Sequence, residues 1–127
     1  MKIMKSDVKE GGMLQYWMEQ ADGSEMYGQV RHKTIRPHDL LIYSQNFCDK
    51  DGGLCKPPFA PHWPNSMLST VTFAKIDETY TCVTVKWVVD DEATAIERET
   101  FHSAKLGMTS GWTGTFDKLD EFLASLV

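Results

Sequence analysis

The stretch Gly107-Met108-Thr109-Ser110-Gly111-Trp112-Thr113-Gly114-Thr115-Phe116-Asp117-Lys118-Leu119-Asp120-Glu121-Phe122-Leu123-Ala124-Ser125-Leu126 decides the fold. On a helix of 3.6 residues per turn, Met108, Trp112, Phe116, Leu119, Leu123 and Leu126 share one stripe, the spacing of a face packed on a sheet. Gly107, Gly111 and Gly114 line up on a different face. Each glycine costs about 1 kcal/mol relative to alanine inside a helix. Three together therefore imply either close backbone approach or empty volume beside the helix.

Upstream, turn chemistry recurs at regular intervals: Gly11-Gly12, Ala21-Asp22-Gly23-Ser24, Arg36-Pro37-His38-Asp39, Asp49-Lys50-Asp51-Gly52-Gly53 and Asp77-Glu78-Thr79. Six strand-like runs lie between these turns, at about 2–10, 13–20, 26–36, 40–48, 66–76 and 79–89. The last is the clearest, because Val83, Val85, Trp87 and Val89 alternate with Cys82, Thr84, Lys86 and Val88. Short turns between successive strands predict antiparallel neighbours and a meander. Helical signal begins near Asp91 or Glu92, with Thr94 or Asp91 as caps, and Gly107 is expected to break a helix over about 92–105 from the terminal one. The expected class is α+β, a curved antiparallel sheet of about six strands wrapped around one long C-terminal helix.

Bulk properties bound the function. A chain of 127 residues suits one domain, here expected over 1–127. Its 42% hydrophobic and 24% charged residues are those of a globular protein. The net charge of −5 and the scattered basic residues argue against nucleic acid as a partner. No apolar run approaches the roughly 18 residues that span a bilayer, and no signal-peptide core follows Met1, so no membrane partner and a cytoplasmic location are expected. Three cysteines, Cys48, Cys55 and Cys82, without CxxC spacing favour free thiols. His32, His38, His62 and His102 show no metal-ligand spacing, and no cofactor is implied.

Lys56-Pro57-Pro58-Phe59-Ala60-Pro61-His62-Trp63-Pro64 interrupts the meander with a stiff, proline-rich loop carrying Phe59 and Trp63. It reads either as a lid over a cavity mouth or partner-binding ridge, or as a plain cover for the sheet end. No catalytic constellation is legible, and the carboxylates from Asp90 to Glu121 fall where solvated helix faces place them. Trp17, Tyr43, Trp63, Trp87, Trp112 and Phe116 read either as plain core packing, the more usual outcome for each singly, or as aromatic lining of a pocket, with Trp112 beside Gly111 the foremost candidate. Met13, Met18, Met26, Met67 and Met108 suit an adaptable lining and equally an ordinary core. Lys105 shares the stripe of Phe101, Met108 and Trp112 if the helix is continuous; its ammonium then either pairs with a ligand carboxylate or, as is more usual, reaches out to water along its aliphatic stem, and a kink at Gly107 would rotate it away.

The order of elements, the hairpin from Ile76 to Val89, the ending at 107–119 and the preceding Glu97-Arg98-Glu99-Thr100-Phe101 resemble the activator of heat-shock-protein-90 ATPase homologue-like family, within the START-like, helix-grip superfamily. The segment from Pro57 to Pro64 with Met67-Leu68-Ser69-Thr70-Val71-Thr72-Phe73 resembles its central loop and strand. Asp7-Val8-Lys9-Glu10-Gly11-Gly12 and Asp22-Gly23-Ser24-Glu25 resemble its early strand–turn segments. The resemblance implies a seven-stranded sheet gripping the terminal helix, with a cavity for an apolar or amphipathic small molecule. The superfamily holds carriers, cyclases, receptors and co-chaperone domains, so the fold does not name a function. The expected role is a small-molecule binding module; the alternatives are a chaperone-linked or other protein-interaction module, and an enzyme of cyclase or hydrolase type. Only six residues precede the match at Asp7, where the family has a strand and two short helices, so the domain is read as N-terminally short. An uncovered sheet edge invites a second chain, and a homodimer is expected.

Overall fold

The computed structural model describes residues 2–19, 21–56 and 60–126. Six strands, β1 (Lys2–Ser6), β2 (Met13–Glu19), β3 (Glu25–Arg36), β4 (Leu40–Cys48), β5 (Met67–Lys75) and β6 (Thr81–Val89), precede two helices, α1 (Ala95–Ser103) and α2 (Lys105–Ser125). The strands pair in chain order, every pair antiparallel, as the short turns predict. Register shifts at Ile3/Lys5 and at His32/Thr34 add the extra residues that bend a sheet. The family resemblance implies seven strands; six are present among the described residues.

The first strand is shorter than its pattern predicts. After Ser6 the chain folds into a turn in which Lys9 N donates to the Asp7 carbonyl and Gly12 N to that of Lys9, at 3.0 and 2.8 Å. Gly11, at φ 83°, supplies the left-handed conformation this turn needs. The third strand, by contrast, begins one residue earlier than expected.

α1 starts on a capping box. Thr94 Oγ1 accepts from Glu97 N at 3.2 Å while Glu97 Oε1 accepts from Thr94 N at 2.9 Å. The break between helices falls at Ala104, not at Gly107. Ala104 N donates back to the carbonyls of Phe101 and His102, a tightened turn that separates the two helix axes. The cause is packing: Phe101 is locked into the core with Trp63 and Met67, and Met108 packs against the same cluster one turn beyond the break.

α2 stands off the sheet, with no strand running its backbone close along it among the described residues. Met108, Trp112 and Phe116 are half-buried, as their stripe predicts. Its continuation is not covered. Leu119, Leu123 and Leu126 are 42%, 50% and 66% exposed, and Phe122 beside them is 58% exposed. Amphipathic spacing marks a face able to pack, but whether anything lies opposite depends on where the sheet ends.

A partly buried ion pair ties the proline-rich loop to α1. Lys56 Nζ donates to Glu97 Oε2 at 2.6 Å and also to the Trp63 carbonyl. Pro57, Pro58 and Phe59 lie outside the described residues. The Lys56 hydrogen bond, first among several causes, holds the Glu97 carboxyl below its ordinary range. A carboxylate with a depressed folded-state pKa contributes stability above its unfolded pKa and loses it as pH falls through the folded one. Glu97→Gln is therefore expected to lower the melting temperature at neutral pH. Thermal melts should show the gap from wild type closing as pH falls through roughly 5 to 3; a gap that persists in acid would show that the pair contributes nothing.

Candidate functional site

Two cavities occupy the space between α2 and the concave face of the sheet. The larger has a volume of about 640 Å³, well within the size range of small-molecule sites. Tyr16 and Met18 reach it from β2, Met26 from β3, Gln45 and Phe47 from β4, Met67 from β5 and Trp87 from β6. Their period-2 spacing and register place them on one face: Met18 opposes Met26, Gln45 opposes Met67, and Tyr16 opposes Gly28, which opposes Phe47. α2 closes the other side with Gly107, Gly111 and Thr115, a stripe four residues apart. None of these lining residues is charged.

Missing side-chain volume keeps the cavity open. An added Cβ at Gly107 or Gly111 would meet nothing within 4 Å. The glycine face thus adjoins empty volume and not a closely approaching backbone. Gly28 serves differently: a Cβ there would lie 2.3 Å from Tyr16 Cζ, so the Tyr16 ring lies flat across the sheet only because position 28 has no side chain.

The smaller cavity, about 420 Å³, lies on the other side of a ridge. Trp87, Met108 and Trp112 border both cavities, and the Trp87 and Trp112 rings meet edge to face at 6.1 Å. Beyond the ridge, Val83 and Val85 of β6 face Phe101, Lys105, Thr109, Thr113 and Phe116. Because the break is at Ala104, Lys105 opens α2 and its side chain borders this second cavity.

The structure therefore divides the residues singled out from sequence. Trp63, Trp87, Met108 and Trp112 border the larger cavity; Trp87, Lys105, Met108, Trp112 and Phe116 border the smaller. Trp17 and Tyr43 border neither. Trp17 follows Tyr16 on β2, so the strand's alternation turns it to the other face. Tyr43 shares the concave face but lies farther along β4, opposite Ser69 on one side and His32 on the other. Of the methionines, Met18, Met26, Met67 and Met108 line the larger cavity and Met13 does not. Tyr16, Gln45 and Phe47 were missed; alternation around Met18 would have found Tyr16, whereas Gln45 carries no apolar signal.

One polar row crosses the concave face: His32, Tyr43, Ser69 and Trp87 stand directly opposite one another on β3 to β6. His32 is 8% exposed and Ser69 fully buried. Both His32 ring nitrogens, Ser69 Oγ and Trp87 Nε1 lack hydrogen-bond partners among the described residues. Burial raises the Tyr43 pKa, and an interaction with Ser69, short of full hydrogen-bond geometry, pulls it part of the way back. Tyr16 is raised as well, first by burial and then by Cys48 and Tyr43. Burial likewise pushes up the Cys48 and Cys55 thiols, so both stay protonated and poorly nucleophilic at neutral pH.

Alanine at Gly107 or Gly111 should stabilise the fold by about 1 kcal/mol each, the ordinary helix preference with no steric penalty. Chemical denaturation would read this; destabilisation at either site would mean that the helix backbone packs tightly there.

Comparison with known proteins agrees with this architecture. No curated protein matches the sequence. A solved structure, protein Ms6760 from Mycobacterium smegmatis, is similar with a TM-score of 0.72 over 95% of this chain and 67% of its own, at 18% identity. That likeness is one of fold. The family model described as activator of Hsp90 ATPase homolog 1-like protein matches residues 1–124. With its six-stranded curved sheet and long terminal helix, the chain belongs to the activator of Hsp90 ATPase homolog 1-like family.

Proposed function

We propose that the chain is a binding module that holds an apolar or amphipathic small molecule in the larger cavity, against Trp63, Trp87, Met108 and Trp112. The observation that carries this reading is the cavity of about 640 Å³ bordered by two helix glycines with empty space before them. Open volume of this size costs a protein packing contacts, whereas a ligand that fills it restores them. The methionine-rich floor adapts to varied apolar shapes.

N-phenyl-1-naphthylamine, a neutral fluorescent probe, tests the cavity directly. Wild type is expected to bind it in a saturable manner. Gly111→Leu, which fills the cavity from the helix side, should weaken binding about tenfold while melting no lower than wild type. Unchanged binding by a folded Gly111→Leu variant would refute the reading.

A second reading, self-association, rests on the uncovered end of α2. Leu119, Phe122, Leu123 and Leu126 form an exposed stripe flanked by Asp117, Asp120 and Glu121, the last paired with Lys118, while edge strand β1 exposes Ile3 and Met4 among Lys2 and Lys5. These surfaces are complementary in charge and both apolar, which favours a homodimer. The family description names an activator of a chaperone ATPase, which supports a protein-interaction role as the alternative. Light scattering at micromolar concentration should give a dimer mass that Leu123→Glu reduces to the monomer; a wild-type monomer would rule the dimer out.

A further inference from the structure

We infer that the smaller cavity is a separate site for an apolar monocarboxylate, with Lys105 as its cationic anchor. This goes beyond the proposal for the larger cavity: the two share the ridge of Trp87, Met108 and Trp112, but Lys105, Val83, Val85, Thr113 and Phe116 border only the smaller one. Among the described residues bordering the two cavities, Lys105 is the one that carries a charge, and it is positive in a chain whose net charge is −5. It makes no ion pair among those residues, and no acidic side chain stands in the first turn of α2 to compete for it. Its exposed position leaves the ammonium hydrated at the rim, while Val83, Val85 and Phe116 offer apolar surface behind it. That is the arrangement an amphipathic acid needs, with its head in water and its body in the groove.

The polar groups beside Lys105 narrow the class. Thr109 Oγ1 donates to the Lys105 carbonyl at 3.0 Å and Thr113 Oγ1 to that of Thr109 at 2.9 Å. Both hydroxyl protons are committed to the helix, which leaves the ammonium as the donor that faces an anion. One compact cation matches a single carboxylate; a phosphate or diphosphate would call for several donors or a guanidinium fork. The volume of about 420 Å³ is nearly three times the roughly 150 Å³ that accommodates benzene, so the body is a chain of medium length or a pair of rings.

Dodecanoate and 1-dodecanol, which share a tail and differ in the head, test this by tryptophan fluorescence, since Trp87 and Trp112 border the groove. Wild type is expected to prefer the acid about fivefold, the upper end for an exposed ion pair. Lys105→Gln should abolish that preference and Lys105→Arg should keep it. Thr113→Phe, which fills the groove, should remove dodecanoate binding, and dodecanoate should saturate without displacing N-phenyl-1-naphthylamine. Equal binding of acid and alcohol, a preference that survives Lys105→Gln, or dodecanoate binding that survives Thr113→Phe would each overturn the inference. Displacement of the neutral probe would place the acid in the larger cavity and overturn it too. If the neutral probe fails to bind at all, the larger-cavity reading falls while the acid–alcohol comparison still judges this one.

Discussion

A continuous run of ring contacts joins the two helices to the sheet. Phe47 meets Trp63 at 6.1 Å, Trp63 meets Phe101 at 5.8 Å, and Phe101 meets Trp87 at 6.4 Å. Trp87 then meets Trp112 at 6.1 Å, and Trp112 stacks on Phe116 at 5.4 Å. These separations lie in the favourable range for offset and edge-on pairs. Long rigid rings do two things that aliphatic side chains of the same position would not. They anchor the helical layer, and the Trp87 and Trp112 rings stand between α2 and the strands. The cavities on either side of the Met108–Trp112 ridge exist because of this spacing. Glycines on one flank of α2 and threonines on the other leave the space beside the ridge unfilled.

The electrostatics follow the same division. Burial raises the Tyr16 and Tyr43 phenol pKa values above their ordinary range, and no charged residue borders the larger cavity. Charge is placed at the periphery, where water pays most of the solvation cost. The Lys56–Glu97 pair clamps the loop around Trp63, whose ring links Phe47 of the sheet to Phe101 of α1 in the aromatic run. The break at Ala104 then decides which way α2 presents its first turn, and therefore which cavity Lys105 borders. A break three residues later would have turned that ammonium elsewhere.

Much of this was legible in the residues. Period-2 runs such as 82–89 and Gly- or Asp-rich turns specify antiparallel strands locally, since pleat and turn chemistry act over a few residues. The capping box at Thr94 and Glu97 marks a helix start by the same local logic. Site residues were legible where a local pattern bore on them: Gly107 and Gly111 announced empty volume or close approach, and Trp112 lay next to them. Trp17 shows the limit, because an aromatic residue on a half-buried strand looks alike on either face until the register is known. Leu119, Leu123 and Leu126 show another, because a helical stripe encodes the capacity to pack and says nothing of what lies opposite.

The sequence by itself determined the kinds of element, their order, the antiparallel meander and the two-faced character of α2. These depend on dihedral preference, side-chain period and local hydrogen bonding. Tertiary structure alone decided that α2 stands off the sheet, that its glycines border empty volume, and that the ridge splits the space in two. It also set which residues meet across four strands, as His32, Tyr43, Ser69 and Trp87 do. Those outcomes depend on distances between residues far apart in the chain, set by ring dimensions and strand register together, and no local pattern encodes them.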